Sequence, residues 1–459
     1  MESETEIDIM PVIHRSLVAS ALALLSFLLT DCSHSFDQQP VTLKYLQDGW
    51  VQPVDMPALQ AVSKDFARLT GNNLEIIRGV PAEPLQQLAF IRKFLRSGAG
   101  GPDVVEADVA WLGTLKNDVI DLRPYLSDES SSLSPIIASS YIMDGKVLAL
   151  PHHNQSGALE YRADLLRKYG YDHPPNTWAE LEKMALRIQS GERAHGNKHF
   201  WGYIWPGAAE ESLTCNAIEW QVDEGAGPII DDDGNISVNN PPTMRAWERA
   251  RHWIGWISPS SVAEYREGDV RGAFESGRTA FVRTWVGEPG VSMTRQRPEL
   301  RGISLLGQPS VGEAGFASMP GGSAARVAVL GGSGLAISKY STHPSKDAVL
   351  IRFILQKELE SFEAQKSHSS SHQSVVYDLS TATGRNSGSS LAGKLQPMIV
   401  PRPTRVSGER YDQVSRAYSS AVHSVLTGQK RASDAASELE QDLIRITGLH
   451  RGPPLRKTP

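Results

Sequence analysis

VTLKYLQDGWVQPVDMPALQAVSKDFARLTGNNLEIIRGVPAEPLQQLAFIRKFLRSGAGGPDVVEA, residues 41–107, decides the fold class. VTLKYL reads as a strand. Leu59, Val62, Phe66 and Leu69 then recur at the three- and four-residue spacing of a helix stripe, with Gly71 as a stop signal. LEIIRGV reads as a second strand. PAEPLQQLAFIRKFLRSG reads as a helix with Pro early and Gly beyond its end, and PDVVEA as a third strand. This β-α-β-α-β order predicts a parallel sheet with right-handed crossovers, an α/β fold.

Downstream, ALEYRADLLRKYG reads as strand then helix, and Thr177 with Glu180 predicts a capping box opening WAELEKMALRIQ. GYIW is a predicted strand and EESLTCNAIEW a helix, and IIDDDGNISV a hairpin turning at Asp233-Gly234 without calcium-loop spacing. PTMRAWERARHWIGWI and DVRGAFESG read as helical and RTAFVRTW as a strand. From Gly302 to Gln356 the pattern is strand, glycine-rich turn, strand, helix, through GISLLGQP, VAVLGGSGLAIS and PSKDAVLIRFILQ. Residues 411–447 read as an amphipathic helical tail. SHSSSHQS and TGRNSGSS are polar, low-complexity loops, so the four-residue spacing of His368 and His372 does not predict a metal site.

At the other end, LVASALALLSFLL (Leu17–Leu29) has the length of a secretory signal's apolar region and is too short to span a membrane as a helix. The preceding MESETEIDI is acidic, which suits Met10 better than Met1 as the start. Cys32 follows where a lipidated cysteine would stand. Removing residues 1–32 takes away Arg15 together with Glu2, Glu4, Glu6, Asp8 and Asp31. That changes the formal charge from −6 to −2, with 45 basic and 47 acidic residues left. Such a chain has no basic footprint for nucleic acid. Its 459 residues are 40% hydrophobic and 21% charged, which excludes disordered, collagen-like and multi-pass membrane classes. Two cysteines make no disulfide scaffold, and Cys215 reads as a small buried apolar residue. No phosphate loop, HExxH, dinucleotide fingerprint or nucleophile elbow is present, so the reading is binding without a cofactor or metal, and no catalysis.

The ordered set PDVVEADVAWLG, LALPHHNQSGALEYRADLLRKYG, GYIWPGAAEESLTCNAIEW, FESGRTAFVRTW and VAVLGGSGLAISK resembles the extracellular solute-binding proteins of carbohydrate ABC importers, in particular their trehalose/maltose-type branch. The resemblance runs from about Val41 to Thr447. It implies a two-lobed periplasmic-binding-protein clamshell, type II-like, each lobe a sheet flanked by helices. Lobe one would be 41–150 plus 303–355 and lobe two 151–302 plus 356–459. It further implies a monomer, periplasmic or on the cell surface, that delivers a sugar or related polar solute to membrane permease subunits.

The resemblance places Asp108 at the ligand, where a carboxylate accepts from two hydroxyls; the competing reading is a helix N-cap. It places Trp285 as a stacking platform, against a core tryptophan. Gly331 and Gly332 would admit backbone close to a ligand, against an ordinary turn. Ser333 stands where the family often has an aromatic, Gln155 where it often has Asp, and Glu160 where it has an aromatic. These departures leave a non-sugar ligand open. Glu211 matches a cleft acid or a first-turn helix acid. Trp205, Trp50 and Arg402 are weaker candidates, the last able to fork to hydroxyls or to pair with an acid. Two other functions stay open: an exported carbohydrate hydrolase using Asp108 and Glu211, whose carboxylates would stand about 5–9.5 Å apart, and a sensor that signals to a membrane receptor.

Overall fold

The computed structural model describes residues 39–47, 56–81, 84–131, 135–288, 312–368 and 397–453. The predicted signal region, Cys32, Trp50, the GISLLGQP strand and His372 lie outside them.

Nine strands form one sheet: β1 (Thr42–Leu46), β2 (Asn73–Ile77), β3 (Val104–Asp108), β4 (Leu150–Arg162), β5 (Trp201–Ile204), β6 (Thr279–Glu288), β7 (Ala314–Ser318), β8 (Val327–Ile337) and β9 (Met398–Val400). The main helices are α1 (Met56–Thr70), α2 (Pro84–Leu95), α3 (Trp178–Ala194), α4 (Glu211–Asp223), α5 (Pro241–Trp253), α6 (Glu267–Glu275), α7 (Pro344–His368), α8 (Tyr411–Leu426) and α9 (Ala432–Thr447).

The opening β-α-β-α-β unit forms as predicted, with β1 parallel to β2 on one side and to β3 on the other. α1 ends where Gly71, at φ +72°, returns its N–H to Ala67 O at 2.9 Å. Phe66 carries the helix stripe into the core at 0% exposure, whereas Leu69 lies off the buried face at 57%.

The sheet order is β2-β1-β3-β8-β4-β6-β5, with β7 added to β4 and β9 to β8. Three long strands carry it across the molecule. β4 pairs antiparallel with β8 through residues 150–156 and with β7 through 158–162, while β6 pairs along its other edge. β8 pairs parallel with β9 at its start and antiparallel with β3 at its end. The sheet is therefore mixed, parallel within each outer group of strands and antiparallel where the long strands cross.

The predicted glycine-rich turn in VAVLGGSGLAIS does not form. Residues 327–337 run as one strand, with a register shift between Ser333 and Gly334. The glycines serve close packing: a Cβ on Gly331 would lie 2.6 Å from the Trp285 ring, and one on Gly334 2.5 Å from Tyr141.

Two bodies of core flank this sheet. In the first, alternate residues of β1 and β3 face opposite sides, Leu46 and Val105 toward α2, and Leu43 and Val104 toward α1 and α7. The second packs α3, α4, α5, α6, α8 and α9 around β5 and β6. β8 serves both, with Val327 and Val329 in the second body and Ala328 and Leu330 in the first. The predicted helical tail forms as two helices, α8 and α9. The short helix Thr404–Ser407 lies against helix Leu112–Leu115 so closely that a Cβ on Gly113 would meet Thr404 O at 2.7 Å. That contact brings the stretch after β9 to the end of β3.

Candidate functional site

Asp108 is the last residue of β3, at the carboxyl edge where open α/β sheets bind ligands. Its Oδ1 accepts from Ala110 N at 2.7 Å, so the N-cap reading describes real geometry. The same oxygen accepts from Arg402 Nη2 at 2.8 Å. Arg402, only 3% exposed along its side chain, also donates from Nη1 to Glu211 Oε1 at 2.9 Å. Its Nε is buried with no hydrogen-bond partner among the described residues. Arg402 thus pairs with two acids, one from each body of core. Burial works against its charge, but Asp108, with further help from Glu211, holds the guanidinium well above its ordinary pKa.

Glu211 is the first residue of α4, where the helix N-terminus favours a carboxylate. Both of its oxygens accept hydrogen bonds. Oε1 also accepts from Tyr411 OH at 2.5 Å, and Oε2 accepts from Ser415 Oγ at 2.5 Å. Burial, then Glu211, pushes the Tyr411 phenol far above its usual value, so it stays a donor. A small pocket opens beside this cluster, lined by Trp111, Glu211, Asp412, Ser415 and Arg416 among others.

Trp285 is half-buried in β6 and donates from Nε1 to Glu267 Oε1 at 2.8 Å. That oxygen also accepts from Ser212 Oγ at 2.8 Å. Glu211 and Ser212, adjacent at one helix start, therefore hold the two halves: Glu211 the Asp108–Arg402 side, Ser212 the Glu267–Trp285 side. Gly157 stands opposite Trp285 in register, and Gln155, half-buried, opposite Gly331. Gly332 adopts φ +113°.

Three further positions singled out in the sequence are buried. Ser333 stands opposite Asp108 in register but is 3% exposed, and its Oγ donates to Glu106 Oε1 at 2.7 Å. Glu106 also accepts from Tyr45 OH at 2.7 Å and has His152 Nδ1 at 2.8 Å, so the serine belongs to a buried network inside the first body. Trp205, a weaker candidate, packs in the second body of core: it is 0% exposed and edge-on to Trp220 at 5.0 Å. Glu160 is buried further along β4. Cys215 is buried, and burial pushes its thiol up, which leaves it unreactive.

Sequence reasoning missed Tyr411, Ser415, Glu267 and Ser212. None carries a local motif; each matters only because a distant element meets it. Among the described residues no group of three or more His, Cys, Asp or Glu side chains is placed to hold a metal, and no helix is long and apolar enough to cross a membrane.

Two bodies of core joined by long shared strands, with polar side chains and an indole gathered at the seam, define the class of two-lobed solute-binding proteins. The chain belongs to the bacterial extracellular solute-binding protein family, whose profile matches residues 50–359. A probable ABC transporter-binding protein of Deinococcus radiodurans is 35% identical over 388 residues, covering 83% of this chain and 89% of that one. Among solved structures, maltose-bound T. maritima MalE3 is 26% identical with a TM-score of 0.69, over 88% of this chain and 100% of its own. A D-mannitol-bound ABC transporter solute-binding protein from Agrobacterium vitis shares the fold at 16% identity, with a TM-score of 0.64, over 88% of this chain and 98% of its own. The protein is an extracytoplasmic substrate-binding component of an ABC transport system and works with a membrane permease.

Proposed function

We propose that the protein binds a neutral sugar or polyol at the seam between its two lobes and delivers it to an ABC importer. One observation carries this reading. The start of α4 ties a carboxylate–guanidinium pair, Asp108 with Arg402, to an indole, Trp285, through neighbouring residues Glu211 and Ser212. Hydrogen-bonding groups beside an aromatic face suit a molecule with hydroxyls around its rim and C–H groups on its face. The related proteins bound to maltose and to D-mannitol support both classes. In this reading Asp108, Trp285, Gln155, Gly331 and Gly332 border the ligand, and Arg402, itself held by Glu211, fixes Asp108 from behind.

The proposed lobes are 41–150 plus 303–355 and 151–302 plus 356–459. The two bodies of core depart from these bounds at β8, where Val327 and Val329 join the second body, and at Tyr411, which packs with the first. The mature protein is proposed to be an exported monomer, with Leu17–Leu29 its signal region and Cys32 its point of lipid attachment.

The hydrolase alternative finds little support. The oxygens of Glu211 already accept from three protein donors, Arg402, Tyr411 and Ser415, so the carboxylate is committed to holding the seam together. The test is a thermal-shift panel of maltose, D-mannitol, ribitol and α-D-tagatose, with a parallel assay for released reducing sugar. A true ligand at 100 times its Kd adds about 2.7 kcal/mol of stability. No shift with any of them would refute the sugar or polyol reading, and steady sugar release abolished by Asp108→Ala would replace it with the enzyme.

A further inference from the structure

Arg283 stands two residues before Trp285 on β6, so both side chains leave the same face of the sheet. Arg283 and Glu219 of α4 are each 1% exposed along their side chains. They pair through two contacts, Nη2 to Oε1 at 2.9 Å and Nε to Oε2 at 3.3 Å. Glu219 Oε1 is fixed further by Val329 N at 3.1 Å. The guanidinium carbon lies 3.8 Å from the centroid of the Trp285 ring.

The surroundings are cut to fit this arrangement. A Cβ on Gly157, opposite Trp285, would fall 1.8 Å from Glu219 Oε1 and 2.7 Å from Arg283 Nη2. The absence of a side chain there is what admits the ion pair. Gly331 likewise leaves room for the ring edge, and Glu267 holds the indole N–H. A buried ion pair is a poor source of stability, since apolar residues of similar size often serve as well or better. Stability therefore does not account for a guanidinium under this ring.

We propose that Arg283, locked by Glu219, is a positioning residue for Trp285. Its planar cation backs one face of the indole and fixes the ring so that the opposite face is held ready for ligand. A ring ordered before binding spares the ligand that entropy cost, and a stacked guanidinium does this with a planar geometry an ammonium lacks. The proposal rests on Trp285 being the ligand platform.

The test uses the full mature protein labelled with 5-fluorotryptophan. Trp285→Phe assigns the Trp285 resonance among those of the ten tryptophans. Two variants probe the backing. Glu219→Gln with Arg283→Met removes both charges together, leaving no orphaned ion. Arg283→Lys keeps the charge and loses the planar stack. In ligand-free protein we expect one narrow Trp285 line in the wild type and a shifted, broadened line in both variants, with melting temperatures little changed. Calorimetric affinity for maltose or D-mannitol should fall about tenfold. An unmoved, narrow Trp285 line beside a lowered melting temperature would overturn the proposal and leave the pair a structural one. If Trp285→Phe and Trp285→Ala leave affinity untouched, the ligand platform is misplaced. The ligand-free spectra still report separately whether Arg283 orders the ring.

Discussion

Gly331 and Trp285 form a single packing unit, because the ring occupies the space a Cβ would need. Gly331→Ala should push the indole aside, at about 1–3 kcal/mol of stability for the overpacking, and weaken ligand binding. Trp285→Ala should cost about 1–3 kcal/mol of binding, taking base–aromatic stacking as the guide, or roughly 5- to 150-fold in Kd. Titration calorimetry of each variant beside its melting curve checks both; a large stability loss with unchanged affinity in Trp285→Ala would make it a core residue. Trp205 is the control. It stacks edge-on with Trp220 in the core, so Trp205→Ala should lose about 3–5 kcal/mol of stability and leave the affinity of the folded fraction unaltered. The sequence could not separate these two tryptophans. Each stands at or near a strand end in a hydrophobic run, and what distinguishes them is the element that packs across the strand. The position of Asp108 was legible because the end of a β-strand in a parallel unit is a place defined locally. Arg402 reads as able to pair with an acid, but which acid was not legible, since Arg402 stands 294 positions from Asp108.

Helices whose ends are written in local chemistry were the readable elements. Thr177 caps α3 as expected, its Oγ1 accepting from Glu180 N at 3.2 Å, while Glu180 reaches back to Asn176 N at 2.7 Å, one residue beyond the ideal box. β8 was misread as a turn because glycine signals either a bend or a close approach, and only the distant Trp285 and Tyr141 rings decide which. α7 carries a buried acid whose consequence is testable. Burial, with Asp103 nearby, pushes the Asp347 carboxyl up to about 7, although Ser341 Oγ donates to it at 2.5 Å. The folded protein then keeps a proton that the unfolded chain releases near pH 4. The stabilisation is present in full below about pH 4 and is lost as pH rises to about 7, at no more than roughly 1.4 kcal/mol per pH unit. Asp347→Asn has no proton to lose. Its melting temperature relative to wild type should therefore rise steadily from pH 4 to pH 7 and level off above. Parallel melting curves across that range would rule the effect out.

At the scale of the whole molecule, the opening β-α-β-α-β order announced the architecture, but the seam is made by contacts no local pattern encodes. Arg402 joins Asp108, in the proposed lobe one, to Glu211, in lobe two, and is itself nearly inaccessible. Because the guanidinium is shielded, salt should screen this bridge far less than it screens a surface pair. Arg402→Met would leave two carboxylates facing each other across the seam without a cation. Breaking a buried pair in this way costs about 3–5 kcal/mol, and separating the lobes relieves it by letting water reach both acids. The ligand-free variant should therefore melt lower and show a larger radius of gyration in small-angle X-ray scattering than the wild type. Adding Asp108→Asn and Glu211→Gln removes the stranded charges, so the triple variant should recover much of the melting temperature. Its dimensions should stay expanded, because nothing then draws the seam together. If Arg402→Met melts lower with its radius of gyration unchanged in both backgrounds, Arg402 stabilises the fold locally and does not govern how the lobes meet.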